Sequence, residues 1–199
     1  MTLVEERPST AIPAARRAMI DSQLRVSGVN DPAILAAFAA VPREDFVPAG
    51  LKEIAYMDRA LPLGEGHMLP APLVHGLMLS EAALRADDEV LVVSPAGYLA
   101  ALAATFGCRV TAASPAEAAG ARKKDSFTVI LVDGAIEQLP AALAARLAEG
   151  GRLVTGTLER AVSRLAAGRK AGADVALLPL AEIGIPPLPE FAAPQCWSF

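Results

Sequence analysis

Apolar and polar positions alternate along the chain in two rhythms, one helical and one extended. From Ala14 to Val26 the apolar residues Ala15, Met19, Ile20 and Leu24 recur at helical spacing, and Arg16, Arg17, Asp21 and Arg25 fill the opposite face. An amphipathic helix is expected there, ended by Gly28. Asp31 followed by Pro32 predicts the next start, with Asp as cap and Pro as first helical residue, running to about Ala40. Leu73 to Leu84 reads as an apolar helix. Between these helices, from Val41 to Pro72, Pro and Gly punctuate the chain, which predicts a loop-rich segment held by side-chain contacts rather than by regular ladders. Residues 1–12 read as a frayed arm.

The rhythm changes at Glu89. Val90-Leu91-Val92-Val93 is a continuous apolar run, as expected of a strand buried on both faces. Gly97 and Tyr98 open a helix, Leu99 to Phe106; Arg109 to Ala113 and Phe127 to Val132 are further strands. A helix over Leu139 to Ala148, ended by Gly150-Gly151, precedes a fourth strand, Arg152 to Thr155. This alternation predicts an α/β fold with a mostly parallel sheet and right-handed crossovers. Beyond Thr157 two antiparallel strands are expected, about 158–166 and 174–183, and Pro186-Pro187-Leu188-Pro189 is neither helix nor central strand. The division expected is a helical and loop extension over 1–84 and a sheet core with its tail over 85–199, packed as one compact unit.

Composition narrows the classes. Mean hydropathy is +0.39, yet Pro, Gly and charges interrupt every apolar stretch before the roughly 18 residues that a membrane-spanning helix needs. The start, MTLVEERPST, lacks the basic-then-apolar order of a signal peptide, so a cytoplasmic protein outside the membrane is expected. Net charge is −4, which argues against a nucleic-acid partner. The one cationic cluster, Arg122-Lys123-Lys124, runs straight into Asp125 and reads as a solvated loop. Two distant cysteines, Cys108 and Cys196, read as free thiols, and two histidines, His67 and His75, exclude a histidine-rich metal centre. Both histidines read as surface or capping residues, since nothing pairs with them in sequence.

Several blocks together carry a family resemblance. Met19-Ile20-Asp21-Ser22-Gln23-Leu24-Arg25 with Gly28-Val29, then Val41-Pro42-Arg43-Glu44-Asp45-Phe46-Val47-Pro48, then Ala55-Tyr56 with Asp58 and Leu61-Pro62-Leu63-Gly64, follow one another at consistent spacing. Leu139-Pro140 and Leu147-Ala148-Glu149-Gly150-Gly151-Arg152-Leu153-Val154 extend the match to residue 155. The chain resembles the protein-L-isoaspartate O-methyltransferases, and its tail a bacterial branch of them. The resemblance implies a Rossmann-like methyltransferase sheet. It also implies S-adenosylmethionine as cofactor and isoaspartyl-containing proteins as substrates, methylated on the free carboxylate as the first step of repair. Such a reaction is mainly a positioning task, because the carboxylate is already nucleophilic and the sulfonium already activated.

At the positions where the family holds its cofactor, this sequence departs from the pattern. The Gly-rich loop after the first strand is Ser94-Pro95-Ala96-Gly97-Tyr98, one residue short and with Gly97 alone of the glycines. Glycine in such a loop lets backbone approach the ligand, and Pro95 removes a donor. Val92 replaces the acidic residue at the end of that strand, and Ser114-Pro115 stands where a ribose-binding carboxylate belongs, with Glu117 as a substitute beyond the proline. Asp133-Gly134 is the best surviving polar feature; it either faces a ligand or caps a turn. Tyr98 reads more as packing than as contact. On the substrate side Pro70 replaces the family's hydroxyl, so no catalytic residue is assigned. Only the 13 residues 114–126 separate the second strand from Phe127, too few for the family's third strand and two helices. One edge strand is therefore expected to be missing, leaving 109–113 as an open edge for a partner or a second copy. Weak or lost cofactor binding is expected, with a non-catalytic binding or scaffolding protein as the alternative to an active enzyme.

Overall fold

The computed structural model describes residues 11–120 and 125–194; residues 1–10 of the arm expected over 1–12, the basic cluster Arg122-Lys123-Lys124 and Cys196 lie outside them, and residues 11 and 12 belong to the first helix instead. The first helix, α1 (Ala11–Met19), runs into a five-residue π turn, Ile20–Leu24, and a 3-10 turn that stops at Gly28 with φ of 91°. Glycine accepts that left-handed geometry without a Cβ penalty. In α2 (Pro32–Ala40) the Asp31 side chain caps the N–H groups of Ala33 and Ile34, as the Asp-Pro pair predicts. Two 3-10 turns, Arg43–Phe46 and Ala49–Ile54, follow. A small antiparallel hairpin, β1 (Leu61–Gly64) with β2 (His67–Leu69), then gives the segment a ladder that its Pro and Gly content concealed. Helix α3 (Pro72–Ala82) leads into the sheet.

The remaining elements are β3 (Glu89–Val93), α4 (Tyr98–Ala104), β4 (Arg109–Ala113), α5 (Pro115–Gly120), β5 (Phe127–Ile136), α6 (Ala141–Ala144), β6 (Leu147–Glu159), β7 (Val162–Ala171) and β8 (Asp174–Glu182). The six strands lie in the order β4-β3-β5-β6-β7-β8. Pairing is parallel from β4 to β6 and antiparallel from β6 to β8. Among the described residues only α5 lies between β4 and β5, so β4 is a sheet edge, as the short connection requires.

Apolar side chains alternate across the central strands into two layers. Val90, Val92, Val129 and Leu131 join Met19, Leu24, Phe38, Met78 and Leu99 on one face, and Leu91, Val93, Ile130 and Val132 join Leu143, Leu188 and Phe191 on the other. The helices before residue 84 thus share one core with the sheet.

Several boundaries differ from the sequence pattern, β5 among them, which runs on past Val132 to Ile136. The helix expected over 139–148 is only α6, because β6 already begins at Leu147. The Lys170 ammonium on β7 donates to the carbonyl of Leu147 at 2.6 Å, and the Glu149 carboxylate accepts from the Gly172 N–H at 3.1 Å. The Phe127 N–H on β5 also takes the Arg146 carbonyl at 2.9 Å, and Phe127 pairs with Leu147, so backbone that a longer helix would need is spent in the sheet. The expected strand 158–166 is displaced for a related reason: β6 continues to Glu159, and the turn falls at Arg160-Ala161, both with positive φ. Among the described residues no helix is long and apolar enough to cross a membrane.

A methyl group added at Gly168 would strike the backbone carbonyl of Ala176 on β8. Gly168→Ala should therefore lower stability by roughly 1–3 kcal/mol, seen in urea as a lower midpoint at unchanged slope. An unaltered midpoint would mean that the β7–β8 register is not the one described.

Candidate functional site at the carboxyl ends of the central strands

Ligands of open α/β sheets bind in the crevice outside the carboxyl ends of the strands, at the point where the strand order reverses. Here that point lies between β3 and β5, and a buried polar chain ends there. Its origin is Arg43, fully buried although charged. The guanidinium donates to the carbonyl of Ala55 at 2.7 Å and to that of Pro70 at 2.6 Å. It also lies 3.3 Å from Nδ1 of His75 on α3. A guanidinium can only donate, so Nδ1 accepts and the imidazole proton sits on Nε2. That Nε2–H donates to Asp133 Oδ1 at 2.8 Å. The other carboxylate oxygen accepts from the Ser94 hydroxyl at 2.7 Å. A neutral imidazole thus relays between a buried cation and a buried anion.

Burial pulls the Arg43 pKa down to about 10, against the attraction of Tyr98, Asp133 and Tyr56 that raises it, so the group stays charged at neutral pH. The Arg43 guanidinium also lies 5.2 Å from the centre of the Tyr98 ring, and His75 meets that ring edge-on at 5.3 Å. Tyr98 is packed with Phe38 and Phe46, and its buried hydroxyl has no hydrogen-bond partner among the described residues. A second cluster joins this one: Arg16 pairs with Glu44 at 3.1 Å and donates to the Tyr56 hydroxyl at 2.7 Å, and that hydroxyl donates to Glu44.

The structure corrects three readings of the residues. His75 is neither a surface nor a capping residue; it is fully buried, and its partners lie 32 and 58 positions away. His67 is half-buried on β2 and pairs with Glu190 of the tail at 2.9 Å. Asp133 does not cap the following turn; both of its oxygens are taken inside the core. An apolar helix carrying one histidine and an apolar strand ending in one aspartate were the only signals of this pair.

Around the crevice the other candidates have their own partners. Ser94 Oγ accepts from the N–H groups of Ala96 and Gly97 at 3.3 and 3.0 Å, closing the shortened loop on itself. Ser114 caps α5, accepting from the Glu117 N–H, and the Glu117 carboxylate accepts in return from the Ser114 N–H at 2.8 Å. This is a capping box, which the Ser-Pro-Ala-Glu spacing could have announced. A Cβ at Gly134 would stand 2.5 Å from Leu188 Cγ, so the tail fills the space that this glycine leaves. Pro70 contributes its carbonyl to Arg43. Among the described residues no three His, Cys, Asp or Glu side chains gather where a metal could sit.

A parallel sheet with its switch point between β3 and β5, continued by an antiparallel pair, defines a Rossmann-like methyltransferase fold. A crystal structure of a Plasmodium falciparum protein-L-isoaspartate O-methyltransferase in complex with S-adenosyl-L-homocysteine matches with a TM-score of 0.71 at 19% identity, over 88% of this chain and 98% of that one. The model of the protein-L-isoaspartate(D-aspartate) O-methyltransferase family matches residues 14–118. A protein-L-isoaspartate O-methyltransferase of Methylorubrum populi is 39% identical over 71% of this chain and 78% of its own length. One from Koribacter versatilis is 36% identical over 70% and 74%. The chain belongs to the protein-L-isoaspartate O-methyltransferase family.

Two predictions follow the network. Asp133→Ala leaves Arg43 without its counter-charge and His75 without an acceptor, and breaking a buried pair in this way costs about 3–5 kcal/mol. Loss of cooperative thermal unfolding, or a melting point lowered in proportion, is the expected result; a wild-type melt would refute the pairing. Burial, together with its hydrogen bond to Glu44, pushes Tyr56 from its ordinary value of 10 up to about 12, and burial raises Tyr98 as well. For Tyr56 the folded state holds a proton that the unfolded state releases, so its contribution is intact below pH 10 and is lost as pH rises toward 12. Phenolate absorbance should accordingly stay flat through pH 10 while circular dichroism is native. A tyrosine titrating there in a folded chain would contradict it.

Proposed function

We propose that this family member keeps the methyltransferase scaffold but grips S-adenosylmethionine weakly or not at all, so that methylation of isoaspartyl carboxylates is reduced or lost. The observation that carries this reading is the state of the loop after β3. A cofactor loop works by presenting unpaired backbone donors to its ligand, whereas here Ser94 Oγ already holds the N–H groups of Ala96 and Gly97. Pro95 supplies no donor.

The remaining contacts point the same way. Both oxygens of Asp133 are engaged in the core. The Glu117 carboxylate is committed to Ser114 across the start of α5, and Leu188 stands against Gly134. These residues do not fit an adenosine-bearing cofactor as they stand. A protein of this kind would act by binding, through the scaffold it has kept.

The opposing reading is an active repair enzyme, and the 39% identity with a relative bearing the methyltransferase name favours it. Isothermal calorimetry with S-adenosylhomocysteine separates the two. No binding heat at millimolar ligand is expected, together with no methyl transfer to an isoaspartyl peptide above background. Micromolar affinity, or turnover of the peptide, would establish the active enzyme instead.

A further inference from the structure

The six-stranded sheet has two edges, β4 and β8, and the chain treats them differently. On β8 the ladder to β7 slips between Ala181 and Pro179, and Pro179 has no N–H to give a further strand. A proline and a bulge are among the usual means by which an exposed edge is kept from pairing with another chain. Strand β4 has neither. Its register with β3 is unbroken from Glu89 opposite Arg109 to Val93 opposite Ala113. Arg109, Thr111 and Ala112 are exposed, so the edge lies open in the single chain.

The backbone of β4 fixes what pairs with it. The Arg109 N–H donates to the Asp88 carbonyl at 3.1 Å, and the Ala113 carbonyl accepts from the Ser94 N–H at 3.0 Å. Alternate residues of a strand turn their backbone groups to opposite sides, so Thr111 also faces β3 while Val110 and Ala112 face away. Among the described strands β4 pairs with β3 alone, which leaves the N–H and C=O groups of those two residues on the outer side. Set antiparallel to a second copy about a two-fold axis through Thr111, Val110 comes opposite Ala112. Each Val110–Ala112 pair then exchanges both of its hydrogen bonds, and every outward group of β4 is used.

Charge selects the same arrangement. The Arg109 side chain is 80% exposed at one end of β4, where it also meets Glu89 of its own chain at 2.9 Å. At the other end the Glu117 carboxylate holds the Ser114 N–H. Antiparallel pairing brings Arg109 of one copy to the Ala113–Ser114 end of the other, cation toward anion, at both ends of the contact. A parallel pairing would set like charges side by side. Val110, Thr111, Ala112 and Ala113 are small enough to let the two backbones meet.

We propose that β4 is a homodimer interface, joining two copies edge to edge into one continuous sheet with Thr111 on the two-fold axis. Such a contact is self-complementary and closes on itself, so with β8 guarded the assembly stops at two chains. A strand this short buries less than a standard interface, which places the dissociation constant at about 10 µM. The proposal stands whether or not a methyl donor binds, and the test contains none.

In sedimentation velocity the full chain should pass from 20.6 kDa toward twice that mass as its concentration rises through about 10 µM. A single-chain mass persisting to about 100 µM overturns the dimer. Ala112→Pro removes an outward N–H and no bond to β3, so this variant should melt cooperatively and stay monomeric; dimerisation equal to the wild type's overturns the edge. In a chain carrying Cys108→Ala and Cys196→Ala, Thr111→Cys should cross-link two copies under diamide, since such facing residues stand about 4.5 Å apart. Val110→Cys in the same chain should not, its counterpart lying about 7–8 Å away on the diagonal. No cross-link from position 111, or an equal one from position 110, overturns the register. Hydrogen exchange on the unmodified chain decides the matter where a variant fails to fold. The Val110 and Ala112 amides should slow about fourfold between about 1 and 100 µM chain, while that of Thr111 is protected at both. Exchange at Val110 and Ala112 that ignores concentration overturns the proposal.

Discussion

A guanidinium with no access to water is the constraint on which the rest of this structure depends. Arg43 cannot be buried unless its charge is answered and its donors are used. Its answers come from three separate parts of the chain: the carbonyl of Ala55, the carbonyl of Pro70, and Asp133 through His75. Satisfying one side chain therefore fixes the loop-rich segment against α3, and α3 against the carboxyl end of β5. That is how residues without long regular structure, from 41 to 72, hold a defined shape. The neighbouring Glu44 does the same for the first helix, through Arg16 and Tyr56. Two adjacent residues of the Val41–Pro48 block thus anchor the loop-rich segment and the first helix.

The same network decides what the crevice can offer. Polar groups at a ligand site must be left under-satisfied by the protein so that the ligand can complete them, whereas polar groups in a core must be complete without it. The buried Tyr98 hydroxyl, with no hydrogen-bond partner among the described residues, is of the first kind; under the proposed reading Asp133, Ser94 and the backbone around Ala96 and Gly97 belong to the second. Each finds its partners within the chain. Ser114 and Glu117 likewise bond each other across the start of α5. Membership of the family and the state of its crevice are separate facts, because fold carries a site only where the side chains still build one.

Much of the architecture was legible in the residues. Continuous apolar runs located β3 and β5, the Asp31-Pro32 pair located α2, and the short span from 114 to 126 announced that β4 is a sheet edge among the described residues. These are local signals, set by neighbours within a few positions. What stayed hidden depended on distant ones. His75 looked unpaired because its partners stand 32 and 58 residues away, and α6 was overestimated because groups on β7 and at Gly172 capture Leu147 and Glu149. The Ser114-Pro115-Ala116-Glu117 spacing, by contrast, is a local signal of the helix cap that these residues form.

The tail is where these two kinds of information meet. Its prolines exclude helix and central strand, and by pattern alone it is merely irregular. Placed beside β5, where the Ala135 N–H donates to the Pro186 carbonyl and the Leu188 N–H donates back to that of Ala135, the same prolines become an advantage, since a segment already extended loses less conformational freedom when it docks. A sheet whose central strand outruns its neighbour, as β5 outruns β3 after Val132, leaves unpaired N–H and C=O groups at its middle, and these must be covered. The nearest cover is the chain that has just left β8, so the vacancy at the switch point and the occupancy by residues 185–191 have one cause.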